Sequence, residues 1–238
     1  MQQPHKALRR SAECTKSTFS HLFHTIPCNN VHDFTRVLGV NIIEAMKSIC
    51  VFCGSRTGSG AVYADAAKQL GRELARRDLR LVYGGGNIGL MGILADAVLA
   101  ASGEVIGVIP HALLAKELGH GGLTQLHVVG SMHERKALMA ELSDAFIALP
   151  GGYGTLEEFC EIITWAQLGL HPKPCGLLNV NGYFDPLLAF FDQAVSEGFV
   201  RSEHRDLVLV GKTVEEVIGL LESNRPVQVE KWIGRDEA

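Results

Sequence analysis

The segment Ala145 to Leu170, AFIALPGGYGTLEEFCEIITWAQLGL, constrains the fold more than any other part of the chain. Its short apolar run, Ala145 to Leu149, is bounded by Pro150 and has the length and character of a buried strand. Pro150-Gly151-Gly152-Tyr153-Gly154 then turns the chain where residues with no Cβ are favoured. Thr155 opens a helical pattern that sets Leu156, Phe159, Cys160 and Ile163 on one face. A strand, a glycine turn and a helix N-terminus in that order make a site for an anion. The first-turn amides have no partners inside the helix, and the dipole adds positive potential. The arrangement predicts a phosphate at the first-turn amides.

The acidic residues that follow have two possible roles. Thr155-Leu156-Glu157-Glu158 fits a capping box, in which the third residue after the cap bonds back to the cap's own backbone. At about 100° per residue, however, Glu158 falls with Ile162, Trp165 and Gly169, opposite the first apolar face. A second apolar stripe implies packing against another subunit as well as against a sheet. It would set Glu158 at the rim of a cleft, where partial burial tunes a carboxylate.

The other elements alternate. Ser48 to Phe52 reads as a first strand, followed by a turn containing Gly54 and Ser55. Helical spacing runs from Val62 to Arg77, and Leu81 to Tyr83 is a short strand ending in Gly84-Gly85-Gly86. A helix over Ile88 to Ala101 precedes a strand over Val105 to Ile109, stopped by Pro110. His111 to Gly122 is a loop or short helix containing Glu117, and Leu126 to Val129 is a fourth strand. Ser131 caps a helix that carries His133, Glu134, Arg135 and Lys136. Past the organising helix come a strand over Gly176 to Val180 and a helix over Pro186 to Val195. A last strand, Leu207 to Val210, and a helix, Val214 to Leu221, close the pattern.

Strands alternating with helices at this spacing predict an α/β chain with a doubly wound, Rossmann-like parallel sheet in one domain. Right-handed crossovers then bring the glycine turns to one sheet edge. Gly84 to Gly89 spells GxGxxG, but a dinucleotide site also needs an acid ending the next strand, where Pro110 stands. Gly84, Gly85 and Gly86 are therefore expected to form a phosphate or sugar loop, as are Gly54 and Ser55. Arg135 and Lys136 near a helix start oppose its dipole, an inconsistency that marks functional sites.

Composition excludes several classes. With a formal charge of −4 over 238 residues, no basic face is expected for nucleic acid. No apolar run reaches the roughly 20 residues that span a bilayer. Six scattered cysteines do not form a disulfide framework, so a reducing, cytoplasmic setting is expected. Cys50 and Cys53 fall on opposite faces of a strand and read as core thiols rather than a metal or redox pair. The ten histidines lack metal-ligand spacing, and no metal is expected. His133, Cys160 and Trp165 are read as supporting or packing residues. Residues 1–45 are expected to be an N-terminal extension, 46–222 the domain, and 223–238 a polar tail.

Gly84-Gly85-Gly86, Met132-His133-Glu134-Arg135-Lys136-Ala137 and Pro150-Gly151-Gly152-Tyr153-Gly154-Thr155-Leu156-Glu157-Glu158 stand in order. Together with Trp165-Ala166-Gln167-Leu168-Gly169 they resemble the LOG ("Lonely guy") family over Met46 to about Leu221. The resemblance implies a Rossmann-like homodimer that hydrolyses the N-glycosidic bond of N6-substituted adenosine monophosphates without a cofactor. It puts the catalytic pair on Arg135 and Glu158. Substrate contacts fall on Glu117, Lys136, Gly152 to Thr155 and Thr164, with Gly151 and Glu157 inside the same motif. Arg56 departs from the family's first-loop pattern, and the N-terminal segment lies outside it. Sequences of this kind also carry the label "lysine decarboxylase". Such chemistry needs a Schiff-base lysine in a pyridoxal phosphate framework, which nothing around Lys136 or Lys173 supplies.

Overall fold

In the computed structural model, residues 46–117 and 119–224 are described. Seven strands form one parallel sheet: β1 (Ser48–Phe52), β2 (Arg80–Tyr83), β3 (Val105–Pro110), β4 (Gln125–Val129), β5 (Ala145–Ala148), β6 (Cys175–Leu178) and β7 (Val208–Gly211). The helices are α1 (Ala61–Arg76), α2 (Gly89–Ala100), α3 (His111–Glu117), α4 (Met132–Glu141), α5 (Tyr153–Gln167), α6 (Asp185–Ser196), α7 (Ser202–Arg205) and α8 (Val214–Ser223). A 3₁₀ turn spans Val180–Gly182.

The strand order is β4-β3-β2-β1-β5-β6-β7. The winding reverses between β1 and β5, which pair directly. In an open parallel sheet, ligands bind at the strand C-termini at such a switch point. The turn after β1 and the glycine turn after β5 therefore flank the crevice that the chain order creates.

Every residue of β1, β3, β5 and β6 is buried, as expected of parallel strands covered on both faces. One core packs β1, β2 and β5 against α1, α2 and α8, with Leu70, Leu74, Leu94 and Ile218 in it. The opposite core holds Phe146, Phe159, Ile162 and Phe184 from β5, α5 and the start of α6. Cys50 and Cys53 lie in opposite cores, and burial pushes both thiols up. They are packing residues. Asp144 caps the entry to β1: its Oδ2 accepts from the amides of Lys47 and Ser48 at 2.9 and 3.0 Å and from the Ser48 hydroxyl.

Several expectations change. α5 begins at Tyr153 with Gly152 as its cap, so Thr155 is not the cap and no capping box forms. With Gly152 as cap, the helix starts three residues earlier than a Thr155 cap predicts. The buried face of α5 is Thr155, Phe159, Ile162 and Ala166, which runs between the two stripes drawn from periodicity. Cys160 is exposed as a result. Pro110 does not stop β3 but ends it, paired with Val129, the last residue of edge strand β4. β6 is shorter than expected because Val180 turns into the 3₁₀ segment. The short α7 has no periodicity to announce it. α8 reaches Ser223, the first residue assigned to the tail; residues 1–45 and 225–238 lie outside the described residues.

Gly89 supports the crevice by close packing. Its φ is +60°, and a Cβ there would lie 2.2 Å from the Ser55 carbonyl carbon. The next amide, Leu90 N–H, donates to the Gly54 carbonyl at 3.0 Å. Gly89→Ala is expected to cost about 2–4 kcal/mol, from the left-handed backbone and the backbone clash together. Chemical denaturation measures it, and a loss below about 1 kcal/mol would mean that the first loop simply moves aside.

Candidate active site

The start of α5 is an open donor end. Leu156 N–H is the first to find a helical acceptor, the Gly152 carbonyl at 3.1 Å. The amides of Tyr153, Gly154 and Thr155 therefore have no partner within the helix. Gly151 is a glycine because of its own helix: a Cβ there would sit 2.1 Å from Thr155 Oγ1. Gly152 and Gly154 have no such reason, since a Cβ on either would meet nothing within 4 Å. The space before these two glycines is open. Thr155 is buried, whereas Tyr153 is 94% exposed beside it.

Arg135 reaches the site from α4. Ser131 caps that helix by accepting from Glu134 N–H at 3.1 Å, as its sequence predicts. Glu134 bonds back to the Gly130 amide at 2.7 Å, which offsets the basic residues after it. Arg135 is buried. Its Nε donates to the Val108 carbonyl at 3.1 Å and its Nη2 to the Gly84 carbonyl at 3.3 Å. Nη1 lies 3.5 Å from Glu158 Oε1, with both side chains almost fully covered. The guanidinium is thus fixed by carbonyls of the β2 end and β3 and turned toward the α5 carboxylate.

Glu158 lies in the second turn of α5. Burial pushes its carboxyl up to about 6; Arg135 and Lys136 pull it back, and Glu157 and Glu161 add to the rise. A carboxylate held this way is ionised at neutral pH yet strongly desolvated, which strengthens its interaction with a nearby positive charge.

Other candidates have different neighbours. Lys136 is buried, with Nζ 2.5 Å from Glu157 and 3.0 Å from Glu161, so it braces α4 to α5. Burial lowers its affinity for a proton, but the hydrogen bonds to Glu157 and Glu161 outweigh this and hold it raised. A protonated, doubly paired amine is not a Schiff-base nucleophile. Thr164 is exposed and its hydroxyl donates to the Cys160 carbonyl at 2.7 Å. Glu117 ends α3, and its side chain is outside the described residues.

The glycine loop after β2 supports Arg135. Besides the Gly84 carbonyl, its Gly85 carbonyl accepts from His120 N–H at 3.2 Å, and Gly86 bridges to Gly119. His120 in turn sits 3.0 Å from Asp96. Gly54 of the first loop donates to the Pro150 carbonyl at 3.1 Å, joining the turns after β1 and β5. Sequence reasoning missed Tyr183, whose hydroxyl donates to the Gly151 carbonyl at 2.6 Å. Only its place after Asn181-Gly182, a turn signal, hinted at a presented side chain.

A family model described as "possible lysine decarboxylase" matches residues 91–221. The cytokinin riboside 5'-monophosphate phosphoribohydrolase of Rhodococcoides fascians is 55% identical over 178 residues, covering 74% of this chain and 90% of that protein. The rice (Oryza sativa subsp. japonica) enzyme LOG is 53% identical over 180 residues, covering 76% of this chain and 74% of that one. The chain belongs to the LOG family. Among solved structures, the molybdenum cofactor carrier protein of Chlamydomonas reinhardtii aligns with TM-score 0.56 at 23% identity, over 73% of this chain and 94% of that one. The molybdenum cofactor binding protein of Rippkaea orientalis gives TM-score 0.57 at 24% identity, over 74% and 96%. At those identities the likeness concerns the fold alone. The LOG assignment therefore rests on the sequence relatives; Arg135 and Glu158, the two residues that the motif resemblance singles out, lie 3.5 Å apart.

Proposed function

We propose that this chain hydrolyses the N-glycosidic bond of adenosine 5'-monophosphates, N6-substituted ones included, to a free cytokinin or adenine base and ribose 5-phosphate. The observation that carries this is the Arg135–Glu158 pair, its side chains almost fully covered, beside the open amide end of α5. The amides of Gly152 to Thr155 hold the 5'-phosphate, which fixes the ribose against Glu158. As the base departs, positive charge grows on the sugar, an oxocarbenium-like state. The desolvated Glu158 carboxylate stabilises that charge and orients the attacking water. That water gives its hydroxyl to the anomeric carbon while the departing base nitrogen gains a proton, so the sum is one water added across the C–N bond. Arg135 holds Glu158 in place and offers its guanidinium to substrate oxygens. Family names support the substrate class, and no cofactor enters the scheme.

A non-catalytic nucleotide-binding module is the other class. Phosphate binding alone gives no reason to desolvate a carboxylate, and Glu158 is held against that cost. Chromatography of reactions with AMP and with isopentenyladenosine monophosphate separates the two: free base supports hydrolysis, and unchanged nucleotide at high enzyme concentration refutes it. The ratio of the two rates sets the base preference.

Glu158 acts ionised, so kcat should rise with pH through about 6 and fall about tenfold per unit below it. The profile belongs at saturating substrate, because a nucleotide phosphate itself titrates near pH 6. A bound phosphate adds negative charge and can only move this acid limb upward. A flat kcat down to pH 4.5 would remove Glu158 from the reaction.

The finer expectations belong here as well. A homodimer is supported by the family and by α6, which has no fully buried residue and leaves Phe190 exposed. A cytoplasmic setting rests on the scattered cysteines. Among the described residues no helix is long and apolar enough to cross a membrane.

A further inference from the structure

We infer that Tyr183 is a positioning residue for the anion cradle: by holding the Gly151 carbonyl, it sets the direction of the Gly152 amide. The inference rests on the proposed role of the α5 N-terminus. A trans peptide is planar, so its C=O and N–H point to opposite sides. The Gly151–Gly152 peptide is trans, and its carbonyl accepts from the Tyr183 hydroxyl at 2.6 Å. One residue earlier, the Pro150 carbonyl accepts from Gly54 N–H at 3.1 Å. Two successive carbonyls of the turn are thus tied to neighbouring loops. The Gly152 amide is left facing away from Tyr183, to act with those of Tyr153, Gly154 and Thr155.

A glycine–glycine turn has little of its own to prevent a peptide flip. Such a flip would point a carbonyl oxygen at the phosphate and repel it. Tyr183 opposes it from a segment built to hold the ring still. Asn181 and Gly182 take consecutive left-handed conformations, φ +52° and +70°. The buried Asn179 side chain closes that turn, donating to Asp185 at 2.7 Å and accepting from Phe184 N–H at 2.8 Å. The Tyr183 ring also packs edge-on to Tyr63 at 5.9 Å and to Phe184 at 5.1 Å. Tyr63 in turn covers Gly58 of the first loop, where a Cβ would meet its ring at 2.7 Å. A left-handed asparagine is strained backbone, and the turn it allows delivers one hydroxyl to one carbonyl.

Tyr183→Phe keeps the ring packing and removes only the hydroxyl. The expected result is a rise of about fivefold to tenfold in KM for AMP, the size of one lost hydrogen bond, with kcat little changed. The inhibition constant of inorganic phosphate should rise by the same factor, and the thermal midpoint should fall by no more than about 2–4 °C. Direct titration of both proteins with inorganic phosphate and AMP separates this inference from the reaction itself. If the wild type binds AMP without releasing base and Tyr183→Phe binds it more weakly, hydrolysis is refuted and the positioning role stands. Equal phosphate and AMP affinity in the two proteins overturns the role, as does a fall in kcat with KM unchanged. Absence of phosphate binding by the wild type overturns it too.

Discussion

Glu158→Gln is expected to lower kcat by about a thousandfold while the nucleotide still binds. In the proposed reading the phosphate is held by backbone amides at the start of α5 (Tyr153–Gln167), which the substitution does not touch. Gln has the same shape but cannot answer the positive charge that grows on the sugar. The same variant should gain stability. An ordinary carboxyl titrates near 4.3 in the unfolded chain, and this one titrates at about 6 in the folded protein. Glu158 therefore contributes stability that is full below pH 4.3 and is lost as pH rises through 6. At pH 7 its ionisation costs the fold about 2 kcal/mol, so the amide should recover about 1–2 kcal/mol. Unfolding at pH 7 and at pH 4 checks the sign: the gain should shrink at the lower pH. Turnover within tenfold of wild type would remove the carboxylate from the chemistry.

Gly84→Ala is expected to damage turnover as well, through Arg135. A Cβ at Gly84 would fall 1.9 Å from Arg135 Nη2. The strand cannot yield, because Tyr83 before it is fully buried. The guanidinium must therefore leave the Gly84 and Val108 carbonyls, and it takes its contact with Glu158 along. A buried charge that loses both carbonyl partners also loses its position. A fall of about a hundredfold in kcat/KM is expected, because small misplacements at a reacting centre cost that much. The flexible end of the arginine can relocate, so stability should fall by only about 1–2 kcal/mol. Near-normal kcat/KM in a folded Gly84→Ala protein would mean that Arg135 need not hold this position.

The two variants show different kinds of legibility. Glu158 could be singled out from periodicity, because one carboxylate sat on an apolar stripe of a helix that begins in glycine. Gly84 could be singled out only as one of several glycines expected to form a phosphate or sugar loop. Its structural neighbour is Arg135, 51 residues along the chain, and no local pattern carries that distance. Lys136 is similar: its place near a helix start marked it as unusual, but its pairing with Glu157 and Glu161 depends on how α4 lies against α5.

Local sequence alone was enough for the parallel α/β fold, the position of nearly every strand and helix, and the glycine-led start of α5. Those follow from apolar runs, helical periodicity and glycine backbone freedom, all properties of neighbouring residues. The exact start of α5 and its buried face were decided by the sheet it packs on, which took Ile162 and Ala166 inward and left Cys160 in solvent. Only the tertiary structure brought Arg135 to Glu158, set Gly84 beneath the guanidinium and laid Tyr183 on the Gly151 carbonyl. Those contacts join residues from different strands and helices, and their geometry exists only once the winding of the sheet reverses between β1 and β5.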